Sequence, residues 1–493
     1  MRRTLFSIAL IIIGTIATMG QNIPMIHSEE IEHSREYLRG NDFQKDLLLY
    51  VDMLAKTHPY YADTKHCAEL NKRSRKMYQE CGNITELITF KLLLARLASS
   101  LNDGHTTISY WSTYDTLFPI RLALDESSST TIDITSEEHK ELLGKEVTRI
   151  NGITIDKLLG MARPLISADN EVNFRNMVKE YMMIAEFWQF LGMDSSSLHL
   201  TLADGRSMDI PAINKRNLKI AQLQKNTDKR VTAQRGVLFD YNIFEDHSIC
   251  YLQFNQFADR LVYPQYPQLA RFDEFLNEMF SEIEDKNIET LVVDLQYNSG
   301  GNSTLGDVLL SWLQPRYETR NYNVDVRMSE LLATHYPHYR ELTVDGKPLE
   351  MGKIYDLFGV DQNKTEKIDY DASQDSTKHQ FNDNIERIFR GNVIFIEGTN
   401  SFSSATLLLT MARDNGIGTI IGEIPGGSPS HYGDILYGML PNTNTLVTVS
   451  HKHFVRPNRE LKGEIYITPD VKVELNDPNR DLAWEWIVEN YGK

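Results

Sequence analysis

Cysteine is scarce in this chain: three residues in 493, Cys67, Cys81 and Cys250. A dense disulfide framework is excluded. Positive charge is also in the minority. Lys and Arg total 51 against 68 Asp and Glu, so the net charge is −17 with His neutral. Nucleic-acid partners select for clustered Lys and Arg, and that class is excluded. The acidity reads as solubility rather than as a clue to substrate. Long apolar runs are missing too. No segment stays apolar over the roughly 20 residues that a membrane-crossing helix needs.

The first twenty residues stand apart. MRRTL brings two arginines, Leu5 to Ala17 is almost wholly apolar, and TMGQN follows. This is the layout of a secretory signal peptide, with an apolar run of about 13 residues, too short to span a bilayer. The chain is expected to be exported, to a periplasm or beyond, with no stable membrane span once the signal is removed. In that setting Cys67 and Cys81 could form a disulfide closing a small loop. Cys250, in SICYLQF, reads as an inert thiol in a buried strand. A catalytic thiol is not expected.

Length suggests about three domains. FQKDLLLYVDMLAK (43–56) and ITELITFKLLLARLASSL (84–101) have helical spacing. The second run ends in Asn102-Asp103-Gly104, with Gly104 expected at the left-handed stop position. Residues from about 118 to 212 form short β-branched runs. GKEVTRINGITIDKLLG (144–160) reads as strand, Asn-Gly turn, strand and short helix. SLHLTLADGRSMDI (197–210) reads as a hairpin with Asp204-Gly205 at its tip. From about 240 strands and helices alternate, which implies a largely parallel sheet with crossover helices. A long polar insertion interrupts them at about 315–385.

Three stretches could carry chemistry. In GTNSFSSATLLL, a strand enters a turn with Ser401, Ser403 and Ser404, then a helix. Serines there either cap the helix or present a nucleophile beside free helix N–H groups. In LVVDLQYNSGGNS, Gly300 and Gly301 end a buried strand; they make an ordinary tight turn or supply N–H groups to an oxyanion. In LNDGHT, His105 follows a helix end and is either structural or a base poised for neutral pH.

Their order along the chain is more specific than any one of them. LASSLNDGHT, then the GKEV…INGI segment, then LVVDLQYNSGGN, then NSFSSATLLL…IGTIIGE resembles peptidase family S41. That family comprises the C-terminal (tail-specific) processing proteases and the tricorn-like proteases. The resemblance covers most of the chain after the signal peptide. It implies a multidomain α/β protein: an N-terminal helical region, a PDZ-like β-rich module and a crotonase-like α/β catalytic core with a largely parallel sheet. The expected boundaries are 1–20 signal peptide, 21–115 helical region with the His motif, 116–232 PDZ-like module and 233–493 catalytic core.

The resemblance also implies roles. Matching the Gly-Glu of IIGE (422–423) makes Ser403 the nucleophile. The processing branch pairs that serine with a Lys 25 positions on, where this chain has Ser428. The tricorn-like branch instead uses a His from the N-terminal half, supplied here by His105, with His431 a rival base. The oxyanion donors would be the N–H of Ser404 and of Gly301, ahead of Gly300. The residue supporting the base would be Glu464, with Asp103 the alternative; Gly104 stands where the tricorn-like pattern has a Ser. His451 and His453 share one face of a strand, as a metal pair would, but no metal or other cofactor is expected. The partner is a peptide or protein substrate, with the PDZ-like module recognising substrate tails by adding a strand. The expected activity is that of an exported serine endopeptidase or carboxyl-terminal processing peptidase. The alternative is a non-catalytic peptide- or ligand-binding protein on the same fold.

Cleavage of the signal is expected near Gly20–Gln21, where the apolar run has ended behind small residues. The intact mass of exported protein checks this; a mature form that keeps Met1 contradicts it.

Overall fold

The computed structural model describes residues 23–110, 115–124, 130–222, 237–358, 379–475, 477 and 480–493. The expected signal peptide and residues 361–378 of the polar insertion lie outside these. In the N-terminal region, α1 (Asp42–Thr57) starts in a capping box between Asn41 and Gln44 and buries Leu47, Tyr50, Val51 and Leu54. It packs on α2 (Thr64–Cys81), which Asp63 caps. The third helix, α3 (Leu87–Ser99), buries Phe90, Leu94 and Leu97.

Two expectations are corrected here. All three cysteines are free thiols. Cys67 and Cys81 lie 14 positions apart on α2, about 21 Å at 1.5 Å per residue, whereas a disulfide needs Cα atoms under about 7 Å apart. At the stop after α3, the left-handed residue is Asn102, with φ 49°, and not Gly104. Asn tolerates that region because its short side chain bonds locally.

The β-rich module follows. Strands β1 (Ile120–Leu124) and β2 (Thr130–Ser136) pair antiparallel. A second antiparallel sheet contains β3 (Val147–Ile150) and β4 (Ile153–Thr154), joined through Asn151 and Gly152 at φ 51° and 76°. Helix α4 (Glu171–Tyr181), N-capped by Asn170, comes next. Strands β5 (Ser197–Leu202) and β6 (Ser207–Pro211) complete that sheet in the order β4-β3-β5-β6, and β7 (Ile220–Gln222) pairs with β2.

The core sheet comprises β8 (Phe239–Phe244), β9 (Ile249–Phe254), β10 (Thr290–Asp294) and three strands further along. Every residue of β9 and β10 is buried. Their near-continuous apolar runs are what a sheet covered on both faces requires. One face is covered by α5 (Phe272–Asp285), which packs Phe272, Leu276, Met279 and Phe280 inward, and by α6 (Thr304–Leu310). Then come β11 (Asn323–Arg327), β12 (Ile354–Asp356), β13 (Asn392–Glu397), α7 (Ser404–Asn415) and β14 (Thr419–Gly422). The chain closes with β15 (His431–Met439), β16 (Leu446–Val455), β17 (Val471–Lys472) and α8 (Leu482–Tyr491). Helix α8 covers the other face of the sheet with Ala483, Trp484 and Ile487. Each large apolar side chain fully buried in these layers contributes about 1.5–3 kcal/mol. The order is β8-β9-β10-β13-β14-β17, antiparallel at β8/β9 and parallel from there on.

The expected multidomain α/β architecture with a largely parallel core sheet is therefore present. The expected insertion is less loop-like than its composition suggests. Its strands β11 and β12 join β15 and β16 in a four-stranded antiparallel sheet, order β12-β11-β16-β15. That sheet carries the N-terminal half to the core. Residues 107–109 run along β16, with Ile108 bridging Val447 and the Thr448 N–H donating to the Thr107 carbonyl at 2.9 Å.

With all three cysteines free, the unreduced, denatured protein is expected to titrate three thiols per chain with a thiol reagent. A count of one would restore the Cys67–Cys81 bond.

Candidate active site

The serine turn gives each of its serines a separate task. Ser401 is fully buried; its Oγ donates to the Leu295 carbonyl (2.8 Å) and accepts the Gly398 N–H (3.0 Å). It staples the end of β13 to the end of β10. Ser404 Oγ donates to the Gly301 carbonyl at 2.7 Å, tying α7 to the glycine turn. Ser403 occupies the N-cap position yet makes no capping bond, with φ 53° and ψ −121°. A non-glycine residue held at positive φ costs about 1–3 kcal/mol and persists only where its surroundings fix it. Here the turn aims Ser403 Oγ away from the helix, at the imidazole of His105.

Ser403 Oγ and His105 Nε2 are 3.1 Å apart across 298 positions of sequence. The His105 ring is held between Phe402 (centroids 4.8 Å apart) and His431 (5.7 Å), both stacked on it. Its backbone is fixed as well: the carbonyl accepts from Thr448 Oγ1 (2.8 Å) and the N–H donates to Asp103 Oδ1 (2.9 Å). His105 Nδ1 stands 3.6 Å from Asp103 Oδ1, an ion-pair distance but too long for a hydrogen bond. Burial alone would lower the imidazole pKa. The surrounding carboxylates of Asp103, Asp169 and Asp434 outweigh it and hold the pKa above its ordinary value.

Asp103 is wholly buried. Its Oδ2 accepts from His58 Nε2 (3.1 Å), Thr106 Oγ1 (2.5 Å) and Ser450 Oγ (2.7 Å). His58 Nδ1 accepts the Tyr60 N–H at 3.1 Å, so the His58 proton sits on Nε2 and points at the carboxylate. Burial pushes the Asp103 pKa up, but His105 and His58 more than reverse this and keep it well below the carboxylate range.

The glycine turn meets the serine turn edge to edge. Gly300 has φ 105°, and a Cβ there would lie 2.7 Å from Ser403 Cβ. Its N–H is taken by Asn298 Oδ1 at 2.8 Å. Gly301 has φ 133°, and its close neighbour is the Phe257 carbonyl. Among the described residues no partner takes the N–H of Gly301 or of Ser404. Asn298 sets the spacing of the two turns: its carbonyl accepts the Phe402 N–H (3.0 Å) and its Nδ2 donates to the Phe254 carbonyl (2.8 Å).

The structure thus brings Ser403, His105, Ser404, Gly300, Gly301 and Asp103 together. It does not bring Glu464 to them. The Glu464 carboxylate is about half exposed and bonds Arg456 at 3.0 Å, and Arg456 is in turn held by buried Asp414. His431 touches the His105 ring rather than the serine. Its Nδ1 donates to the Ser428 carbonyl (2.8 Å), and burial with the adjacent His105 lowers its pKa to about 3, so it stays neutral. His451 and His453 part company: the first meets the Asp434 carbonyl, the second stacks on Tyr432 and faces Asp325. Among the described residues the one grouping spaced for a cation is Asp103, His105 and Asp169, with ligand atoms within 4.8 Å of one another.

Sequence reading missed His58, Asp169, Asn298 and Ser450. None has a local motif that marks it, except that Asn298 lies inside the Gly-Gly stretch and could have been read as its brace.

Residues 248–473 match Peptidase family S41. No curated protein matches the chain. Among solved structures the fold is similar to that of mature CPAF, at 13% identity and TM-score 0.61, covering 91% of this chain and 95% of that one. It is similar also to mature CPAF complexed with lactacystin, at 13% identity and TM-score 0.59, covering 87% and 93%. The matched segment contains both the Gly300–Gly301 turn and the Ser403 turn, and the match supports a serine-type peptidase.

Proposed function

We propose that the protein is an exported endopeptidase or carboxyl-terminal processing peptidase that works through a Ser403 acyl-enzyme with His105 as base. The observation that carries this is the 3.1 Å contact between Ser403 Oγ and His105 Nε2, beside two N–H groups free to bind an oxyanion. A peptide docks between the β-rich module and the carboxyl end of the core sheet. His105 Nε2 takes the Ser403 proton as Oγ attacks the scissile carbonyl. The N–H groups of Ser404 and Gly301 stabilise the oxygen that becomes negative. The imidazolium then gives its Nε2 proton to the leaving amine, and water attacks the acyl-enzyme by the same route in reverse.

The order of residues supports a histidine base over a lysine. Ser428, at the position of the processing-branch lysine, is buried and receives a hydrogen bond from Asn170 Nδ2 at 3.4 Å. Export rests on the N-terminal layout alone. Recognition of substrate tails rests on the likeness of the β-rich module to a PDZ domain.

Ser403→Ala is expected to abolish peptide hydrolysis and fluorophosphonate labelling at a folding cost of about 1 kcal/mol or less, since only the His105 hydrogen bond is lost. His105→Ala is expected to lower turnover by orders of magnitude. His431→Ala should do much less, and a collapse there would move the base. Labelling of an intact Ser403→Ala variant would move the nucleophile to another serine, and absence of labelling from the wild type would favour a binding protein.

The pH profile follows from charge. The base works as neutral imidazole, and the nearby carboxylates raise its pKa above 6.5. Activity is therefore expected to rise with pH through a midpoint above 6.5, measured as kcat/KM. A midpoint below that of an ordinary imidazole would contradict it.

A further inference from the structure

Two polar atoms at the site are buried with no hydrogen-bond partner: His105 Nδ1 and Asp169 Oδ2. While Nε2 accepts the Ser403 proton, the imidazole proton must reside on Nδ1, and a buried N–H needs an acceptor. Asp103 Oδ1 stands 3.6 Å from Nδ1, too far for a hydrogen bond, and that oxygen is held in place by the His105 backbone N–H. A carboxylate offers about four lone-pair sites. Asp103 receives the N–H of His105 on Oδ1, and His58, Thr106 and Ser450 on Oδ2. Asp169, on the turn before α4, accepts the Gly104 N–H on Oδ1 at 2.7 Å and keeps Oδ2 open. Its carboxylate, that of Asp103 and His105 Nδ1 lie within 4.8 Å of one another.

Gly104 explains how a carboxylate from the β-rich module gets so close. A Cβ at Gly104 would stand 2.7 Å from Asn173 Oδ1, 3.0 Å from Phe402 Cζ and 3.1 Å from Asp169 Oδ1. Any side chain there would push the module's turn away from the imidazole. The glycine that does not serve the left-handed stop after α3 serves this approach.

We propose that Asp169 is the positioning residue for the base: its Oδ2 accepts the His105 Nδ1–H and stabilises the imidazolium, while Asp103 anchors the loop. The remaining gap closes as substrate fills the cleft, as catalytic hydrogen bonds commonly tighten in the Michaelis complex. The proton taken from Ser403 stays on Nε2 and the Nδ1 proton stays on nitrogen, so no net transfer to Asp169 occurs. Burial raises the Asp169 carboxyl to about 6, against the opposing pull of His105 and with a push from Asp103. The groups facing His105 are Asp103, Asp169, Asp434 and His431.

This inference rests on Ser403 and His105 as nucleophile and base, a reading that Ser403→Ala tests separately. Asp169→Asn keeps the acceptor for Gly104 and removes the charge. It is expected to lower kcat at least 100-fold with KM within about threefold, and to move the acid-limb midpoint to lower pH, because one raising charge is lost. Asp169→Glu should recover part of kcat. In the wild type, 15N NMR of His105 should find the neutral ring protonated on Nδ1, a readout that holds even if the variants fold poorly. Wild-type kcat and an unshifted midpoint in Asp169→Asn, or a wild-type proton on Nε2, would overturn the proposal. Loss of wild-type activity in EDTA with recovery on adding Zn2+ would make these atoms cation ligands and overturn it as well.

Discussion

The buried charge on Asp103 is the constraint that the rest of the site depends on. A carboxylate with no exposed surface carries a desolvation penalty of several kcal/mol. It stays ionised because four donors converge on it, each hydrogen bond to a charged group contributing about 1.5–3 kcal/mol. Those donors come from separate parts of the chain: His58 after α1, Thr106 and the His105 backbone on the loop, and Ser450 on β16. Satisfying the one charge therefore fastens the N-terminal helices, the histidine loop and the core to each other. Losing one donor would forfeit about 1.5–3 kcal/mol of that compensation, so the three parts have no inexpensive way to separate.

The serine turn is a second constraint. Its positive φ at Ser403 is unfavourable in isolation. The strain is held by bonds on both sides: Ser401 to Leu295, Ser404 to Gly301, and the Phe402 N–H to Asn298. Gly300 and Gly301 are needed because the two turns touch backbone to backbone, where a Cβ would collide. The nucleophile is thus positioned by the sheet, and the loop that carries the base is anchored by Asp103 and β16. Their 3.1 Å contact is where two independently fixed frames meet.

Much of this was legible in the sequence, for definite reasons. The runs 249–254 and 290–294 are apolar throughout because both faces of the core sheet are covered, and that pattern identifies interior parallel strands. Ser403, Gly301 and His105 stand out because each sits beside an element end with an unusual local composition. What failed to show was whatever depends on distant pairing. The residues of β11 alternate Asn, Asp and Arg with valines, and read as polar insertion because their buried partners lie far along the chain: Arg327 bonds the His58 carbonyl. Glu464 was reached through family register, yet its carboxylate is drawn to Arg456. His58 and Ser450 are ordinary residues in ordinary segments until Asp103 collects them. The Cys67–Cys81 pairing failed because spacing in sequence says nothing about separation once both lie on one helix.

The β-rich module is bound into the catalytic apparatus rather than appended to it. The turn and first half of α4 supply Asp169 to the Gly104 N–H, Asn170 to Ser428 and Asn176 to the Thr399 carbonyl. These three partners lie respectively on the histidine loop, on the loop after β14 and on the strand-to-serine turn. A shift of α4 by more than about an ångström would break hydrogen bonds to all three at once, since such bonds weaken steeply outside their narrow range of length and angle. The geometry around His105 therefore depends on where the module sits. The turn before α4 closes the Nδ1 side of the imidazole, a side that the histidine loop alone does not complete.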